Sequence, residues 1–141
     1  MTLDKALQQL RDASQPVPKP LRLPTAAEVD AAERDIGIAF HPDYRRFQLE
    51  ASNVVVPVLE PAVVLPDMGY LDLRETVKDA REIGVPCDVI PFCQDNGDYF
   101  FITRDGEIGL WDHNGGGTVM LRKSLADWIT EDWLGGAGEA G

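Results

Sequence analysis

The chain has 141 residues, of which 44% are hydrophobic and 26% are charged, a balance typical of one soluble globular domain. Asp and Glu number 24 against 13 Lys and Arg, so the formal net charge is −11. This charge disfavours nucleic acid and anionic membranes as partners because their phosphates would repel the chain, whereas a basic protein would be attracted. Many acidic proteins, however, are acidic only for solubility.

The sequence also bears on the compartment. No apolar stretch approaches the ~20 residues that a membrane helix needs. The first twelve residues are interrupted by charges and do not resemble a secretory signal. We therefore expect a cytoplasmic protein whose two cysteines, Cys87 and Cys93, are free. Because both flank or lie in an apolar strand, we expect them to be inert core or near-core thiols.

The N-terminal segment predicts a helix followed by a linker. Leu3, Leu7 and Leu10 lie at helical spacing. The stretch 15–20 contains three prolines, which forbid helix and favour an extended chain. Residues 1–24 are therefore expected to form a helix that is tethered rather than deeply embedded.

Two further helices have clear start signals. Thr25 and Glu28 have the spacing of a capping box, in which each side chain bonds the other residue's backbone N–H. Pro42 is a good first-turn residue for the next helix. That helix is expected to turn Tyr44 and Phe47 inward.

The middle of the chain predicts short strands and a fourth helix. Residues 54–59 and 62–65 are β-branched runs that Pro57 and Pro61 interrupt. Since proline cannot donate to a strand ladder, these runs are predicted to be edge strands or short strands. Residues 67–81 have helical composition.

The second half of the chain contains a predicted hairpin turning at Asp105-Gly106, a strong two-residue turn signal. A two-residue loop places Phe101 opposite Leu110 and Phe100 opposite Trp111. Both faces of this hairpin are then apolar, which indicates that it lies in the middle of a sheet and is covered on both sides for part of its length.

Further elements flank the hairpin. Residues 89–92 and 118–121 are predicted to be short strands. Ser124 has the chemistry and position of a cap for a last helix. The glycine-rich stretch 135–141 is expected to be disordered.

Four segments together resemble one protein family, the SMI1/KNR4 (SUKH) family. Glu33 to Phe47 resembles its N-terminal signature, in which a helix ends at Gly and a Pro-containing connection leads to Asp-Tyr and a Phe. Val89 to Tyr99 resembles its central strand and turn, and Gly106 to His113 its return strand. Ser124 to Ile129 resembles its closing helix.

The resemblance implies a single domain over residues 25–134 with an α+β fold: a mixed, largely antiparallel central sheet flanked by helices. It also implies protein binding. Bacterial members include immunity proteins that neutralise a cognate toxin, and fungal members are regulatory scaffolds. The resemblance brings no catalytic residue.

Candidate contact residues cluster in the predicted turns away from Asp105: Asp95, Asn96, Asp98, Asp112 and His113. Asp and Asn in turns also bond their own backbone, so turn capping is the competing interpretation. Their spacing does not match a calcium loop, and the two histidines and two cysteines lack paired zinc spacing. We therefore expect no metal and no cofactor.

Trp133 is a further candidate contact. It lies near the end of the last predicted helix, where it is the tryptophan expected to be exposed, and an exposed tryptophan can anchor a partner.

These observations favour a non-enzymatic protein-binding module, an immunity protein that covers the active surface of a toxin. Its partner would be a protein, with a basic toxin domain the leading candidate, and its oligomeric state is left open. The alternative is a regulatory or scaffold module that binds an endogenous protein or peptide at the sheet edge left by Pro57 and Pro61. An enzyme is the third option, but no nucleophile–base pair emerges.

Overall fold

The computed structural model describes residues 1–135, so the predicted disordered tail, 135–141, lies outside the described residues apart from Gly135. The helices are α1 (Leu3–Ala13), α2 (Ala26–Ile36), α3 (Pro42–Ala51), α4 (Leu73–Glu82) and α5 (Leu125–Trp128). The strands are β1 (Ile90–Asp95), β2 (Asp98–Ile102), β3 (Ile108–Asp112) and β4 (Gly117–Met120). They form one antiparallel sheet in the order β1-β2-β3-β4, which confirms the α+β prediction.

Helix α1 is part of the main core, so the expectation that it is only tethered is wrong. Ala6, Leu7 and Leu10 are fully buried, and the helix packs against α3 and α5. The linker that follows is fastened at its start, because the Ser14 hydroxyl accepts the Val55 N–H at 2.9 Å. The apolar side chains of α1 therefore form a continuous stripe that is buried against the neighbouring helices.

Helices α2 and α3 begin where the sequence predicts. Both hydrogen bonds of the capping box between Thr25 and Glu28 are present. Helix α3 has His41 as its N-cap, with the ring Nδ1 accepting the Asp43 N–H at 3.1 Å. Tyr44 and Phe47 face the core, as expected.

The segment between α3 and α4 contains a 3-10 turn, Gly69–Leu71, and is otherwise irregular, so the strands predicted at 54–59 and 62–65 are wrong. Its β-type contacts are one isolated parallel bridge, Val63 with Asp72, and a hydrogen bond from the Ala62 N–H to the Phe92 carbonyl. Val56, Val63 and Val64 are buried without a ladder, because the interrupting prolines prevent one, whereas Val58 is exposed.

The central hairpin forms, but its register differs by one residue from the prediction. Phe101 lies opposite Gly109 and Trp111 opposite Tyr99. The loop has three residues rather than two, since the Thr103 N–H donates to the Glu107 carbonyl. Gly106 occupies the left-handed region with φ 88°, the position of glycine in a type I turn followed by a bulge. A slip of one residue reverses which side chains share a face.

Both faces of the hairpin are covered, as predicted. On one face, Ile102 and Ile108 belong to the main core, to which α5 also contributes buried side chains. On the other face a second cluster packs below the end of α4: Ala80, Val85, Val89, Tyr99, Phe101 and Trp111. Within residues 1–135 no helix combines the length and apolarity needed to cross a membrane.

Candidate protein-binding site

The turn β1–β2 and the turn β3–β4 lie at the same end of the sheet and bring three of the predicted residues together. Asp98 Oδ1 accepts the backbone N–H of His113 at 3.0 Å and lies 2.6 Å from its ring Nδ1. Asp112 Oδ1 accepts the Asn114 N–H at 2.9 Å. These carboxylates therefore hold the β3–β4 turn, which supports the turn-capping interpretation for both.

The hydrogen bonds from His113 lower the pKa of Asp98 below its ordinary value. One ligand atom from each of Asp98, Asp112 and His113 lies within 4.8 Å of the others, so this group could hold a metal ion. Asp98 Oδ1, however, already contacts both the backbone N–H and the ring Nδ1 of His113.

Asp95 and Asn96 face elsewhere. They line a cleft of about 330 Å³ between the end of β1, helix α4 and the irregular segment 57–62. Four carboxylates border this acidic cleft: Glu60, Glu75, Asp79 and Asp95. Among the described residues that line it, none is Lys, Arg or His.

The rim of the acidic cleft combines charge with exposed apolar surface. Tyr70 is 76% exposed, and its hydroxyl donates to Glu60 Oε2 at 3.0 Å. That hydrogen bond and the Glu60 charge raise the Tyr70 pKa, so the phenol stays neutral. Val58, on the same rim, is 46% exposed. An aromatic face beside carboxylates is the chemistry that attracts ammonium and guanidinium groups.

Helix α4 supplies two of the carboxylates. Glu75 and Asp79 are one helical turn apart, exposed, and of like charge, an arrangement that slightly destabilises a helix. Sequence reasoning missed these two residues, as it missed Glu60 and Tyr70. The i,i+4 pair of acids was the available signal, but an exposed acidic helix face is common, and only the fold places it opposite Asp95.

The two cysteines differ. Cys93 is buried behind the acidic cleft, and burial, with the charges of Asp95 and Glu60, raises its pKa to about 12. Its thiol is therefore protonated and unreactive at neutral pH, in line with the expectation. Cys87 is exposed, so its predicted near-core position is wrong. It precedes β1 in a turn rather than lying in the strand.

Trp133 is also not where the sequence predicts. It is only 2% exposed, and its Nε1 donates to the Val56 carbonyl at 2.9 Å. Its ring centroid lies 6.1 Å from that of Phe47. The chain continues from α5 into a π-helical turn, Ile129–Trp133, which directs the indole into the core. A buried tryptophan of this kind cannot anchor a partner without unfolding the end of the domain.

The comparisons with known proteins agree with this architecture. The family model described as SUKH_5, SMI1-KNR4 cell-wall, matches residues 3–134. The chain belongs to this family. The match includes α1, in keeping with the burial of that helix in the common core.

One solved structure with the same fold is the "Crystal structure of protein from Pseudomonas syringae pv. tomato". That protein is 32% identical to this chain, and the alignment covers 94% of this chain and 98% of the other. The two superpose with a TM-score of 0.84. The description of that structure names no activity and no partner. No curated protein matches the chain closely enough to count as a relative.

Proposed function

We propose that this SMI1-KNR4 family member is a non-enzymatic immunity protein that acts in the cytoplasm and neutralises a cognate toxin by covering its basic active surface. One observation carries the proposal: the acidic cleft, with four carboxylates and an exposed tyrosine on its border, in a chain of net charge −11. A toxin that acts on nucleic acid has a basic cleft, and carboxylates can occupy the positions of the phosphates.

Two physical effects support this assignment. Long-range attraction between an acidic and a basic protein raises association rates by roughly 10- to 1,000-fold. At short range, a Lys or Arg side chain entering the acidic cleft would form charge-assisted hydrogen bonds with carboxylates that have no cationic neighbour on the cleft wall. The predicted contacts Asp95 and Asn96 line this cleft, whereas Asp98, Asp112 and His113 would contribute from the adjoining end of the sheet.

For the alternative function, a regulatory or scaffold module that binds an endogenous protein or peptide, the docking edge predicted near Pro57 and Pro61 is not formed. The segment that carries these prolines forms no strand, and the Ala62 N–H is already bonded to β1. A gene neighbourhood without a toxin-like reading frame would favour that alternative.

Growth rescue tests the proposal. The chain is co-expressed with the toxin domain encoded next to its gene, and survival is compared for wild type and for the double variant Glu75→Lys/Asp79→Lys. We expect the double variant to lose rescue, because two reversed charges replace attraction by repulsion inside the cleft. Both side chains are exposed, so the fold should be retained.

The matched control is Asp88→Lys/Asp105→Lys, which makes the same change in net charge at two exposed positions outside the acidic cleft. Rescue by the control and not by the cleft variant assigns the effect to position rather than to total charge. If both double variants rescue as well as wild type, the acidic cleft is not the toxin-binding surface.

A further inference from the structure

The two edges of the sheet differ. Strand β1 is covered on its outer side, where the Ala62 N–H donates to the Phe92 carbonyl at 2.7 Å. Strand β4 pairs with β3 on one side, and all four of its residues are exposed. Val119 is 58% exposed and Met120 39%. An edge with free backbone groups and apolar side chains is a template for another strand.

The hydrogen-bonding pattern shows which groups of β4 face outward. The Leu121 N–H donates to the Ile108 carbonyl at 3.0 Å, while the Ile108 N–H donates to the Lys123 carbonyl at 3.0 Å, so Ile108 and Leu121 stand at a hydrogen-bonded position that keeps one of its two bonds. Because such pairs alternate along an antiparallel ladder, Val119 also directs its N–H and C=O at β3. The backbone groups of Thr118 and Met120 are therefore the ones that point away from the sheet.

The charge along this edge is unlike that of the rest of the chain. Residues 113–126 contain no Asp or Glu, although the protein has 24 of them. Arg122, just beyond β4, is exposed and forms no ion pair within residues 1–135, whereas Lys123 is paired with Asp132 at 3.2 Å. A second acidic molecule can approach this edge without meeting carboxylates on β4.

We propose that β4 pairs antiparallel with β4 of a second copy of this chain, so that two sheets join into one of eight strands. A two-fold axis perpendicular to the sheet keeps each face continuous, so paired residues come from the same face. Of the registers that the outward groups allow, we propose the one that pairs both Thr118 and Met120 within the four-residue strand: Thr118 bonds Met120 of the second copy, and Val119 lies opposite Val119 of the second copy.

Charge complementarity favours this occupant. Arg122 and Gly116 lie outside β4 and have positive φ, 57° and 66°. In the antiparallel arrangement the end of β4 that leads to Arg122 lies beside the β3–β4 turn of the second copy, the sheet end that carries Asp112. The acidic cleft lies beside β1 and stays open on both molecules. An interface of two four-residue strands is far below the roughly 1,600 Å² of a typical stable complex, so the dimer is weak and forms at high concentration.

Sedimentation velocity over a concentration series tests the assembly. The wild-type mass should rise from the monomer value of 15.5 kDa towards the dimer value as concentration increases. Val119→Lys should abolish the rise, since it places two like charges directly opposite each other. Ile83→Lys, the matching substitution at an exposed β-branched residue that follows α4 and does not line the acidic cleft, should dimerise like wild type.

Disulfide trapping tests the register in a Cys87→Ser background, with Cys93 silent because it is buried. Val119→Cys should cross-link rapidly on mild oxidation, because residues opposite each other in a non-hydrogen-bonded pair are close enough for a disulfide. Met120→Cys should cross-link much more slowly, since it faces Thr118. The proposal is overturned if wild type stays monomeric at all concentrations, if assemblies grow beyond dimers, or if both cysteine variants cross-link at the same rate.

Discussion

Replacing Gln48 by Ala should destabilise the protein by about 3–5 kcal/mol, a large part of the 5–15 kcal/mol typical of a domain. Gln48 is fully buried. Its Nε2 donates to the Ala62 carbonyl and to the Tyr44 hydroxyl, both at 3.0 Å. Its Oε1 accepts the Val64 N–H at 3.3 Å. The substitution would leave these buried groups unsatisfied and would open a cavity.

Urea denaturation of two variants separates these effects. Gln48→Met keeps the volume and should cost less than Gln48→Ala, because it removes only the hydrogen bonds. Gln8→Ala is the control, since Gln8 has the same side chain on an exposed helix face; it should change the free energy of unfolding by no more than about 0.5 kcal/mol. A Gln48→Ala variant as stable as this control would show that Gln48 does not fasten residues 62–64 to α3.

Gly109→Ala should cost roughly 2–3 kcal/mol, because the strand has no room for a methyl group at this position. A Cβ on Gly109 would overlap the Phe101 ring at Cζ and Cε1 and would lie 3.1 Å from Met120 Sδ. Phe101 is 2% exposed and packed in the second cluster, so its ring cannot simply move into solvent. Thermal or urea unfolding measures the loss.

A double-mutant cycle identifies the cause. Phe101→Leu removes the ring edge over Gly109, so the Gly109→Ala substitution should cost less in that background than in wild type. Gly117→Ala is the matched control: Gly117 is also a strand glycine, with nothing within 4 Å of its Cβ position. Equal costs in both backgrounds would mean that Phe101 does not limit the space.

The elements that the sequence predicted well are those with local chemical signals. The capping box of Thr25 and Glu28, the proline at the start of α3 and the Ser124 cap each act within one helical turn. The wrong predictions depend on distant contacts. The burial of α1 requires α3 and α5, and nothing in Leu3 to Leu10 distinguishes a tethered helix from an embedded one.

The predicted register of the central hairpin was wrong for a different reason. Asp105-Gly106 fits both a two-residue turn and a type I turn with a bulged glycine, and the two differ by one residue. The deciding contact is the pairing of the Phe101 ring with Gly109, which leaves space for the ring. A pattern of apolar residues in the sequence does not show that Gly109 leaves space for the Phe101 ring.

The candidate site was predictable only in part. Turn residues such as Asp95 and Asp98 can be found from composition, but the sequence does not say that one lines a cleft while the other holds a turn. The cleft is assembled from segments that are distant in the chain, and Glu60 reaches it because the buried Gln48 holds the neighbouring backbone.

The most direct test of the proposed function is the association rate constant with the cognate toxin domain, measured by stopped flow at increasing salt concentration. For wild type we predict a fall of about tenfold or more from low to high ionic strength. For Glu75→Lys/Asp79→Lys we predict slow association at low salt and a much weaker salt dependence. A wild-type rate that does not change with salt, or a double variant that binds as fast as wild type, would contradict recognition through the acidic cleft.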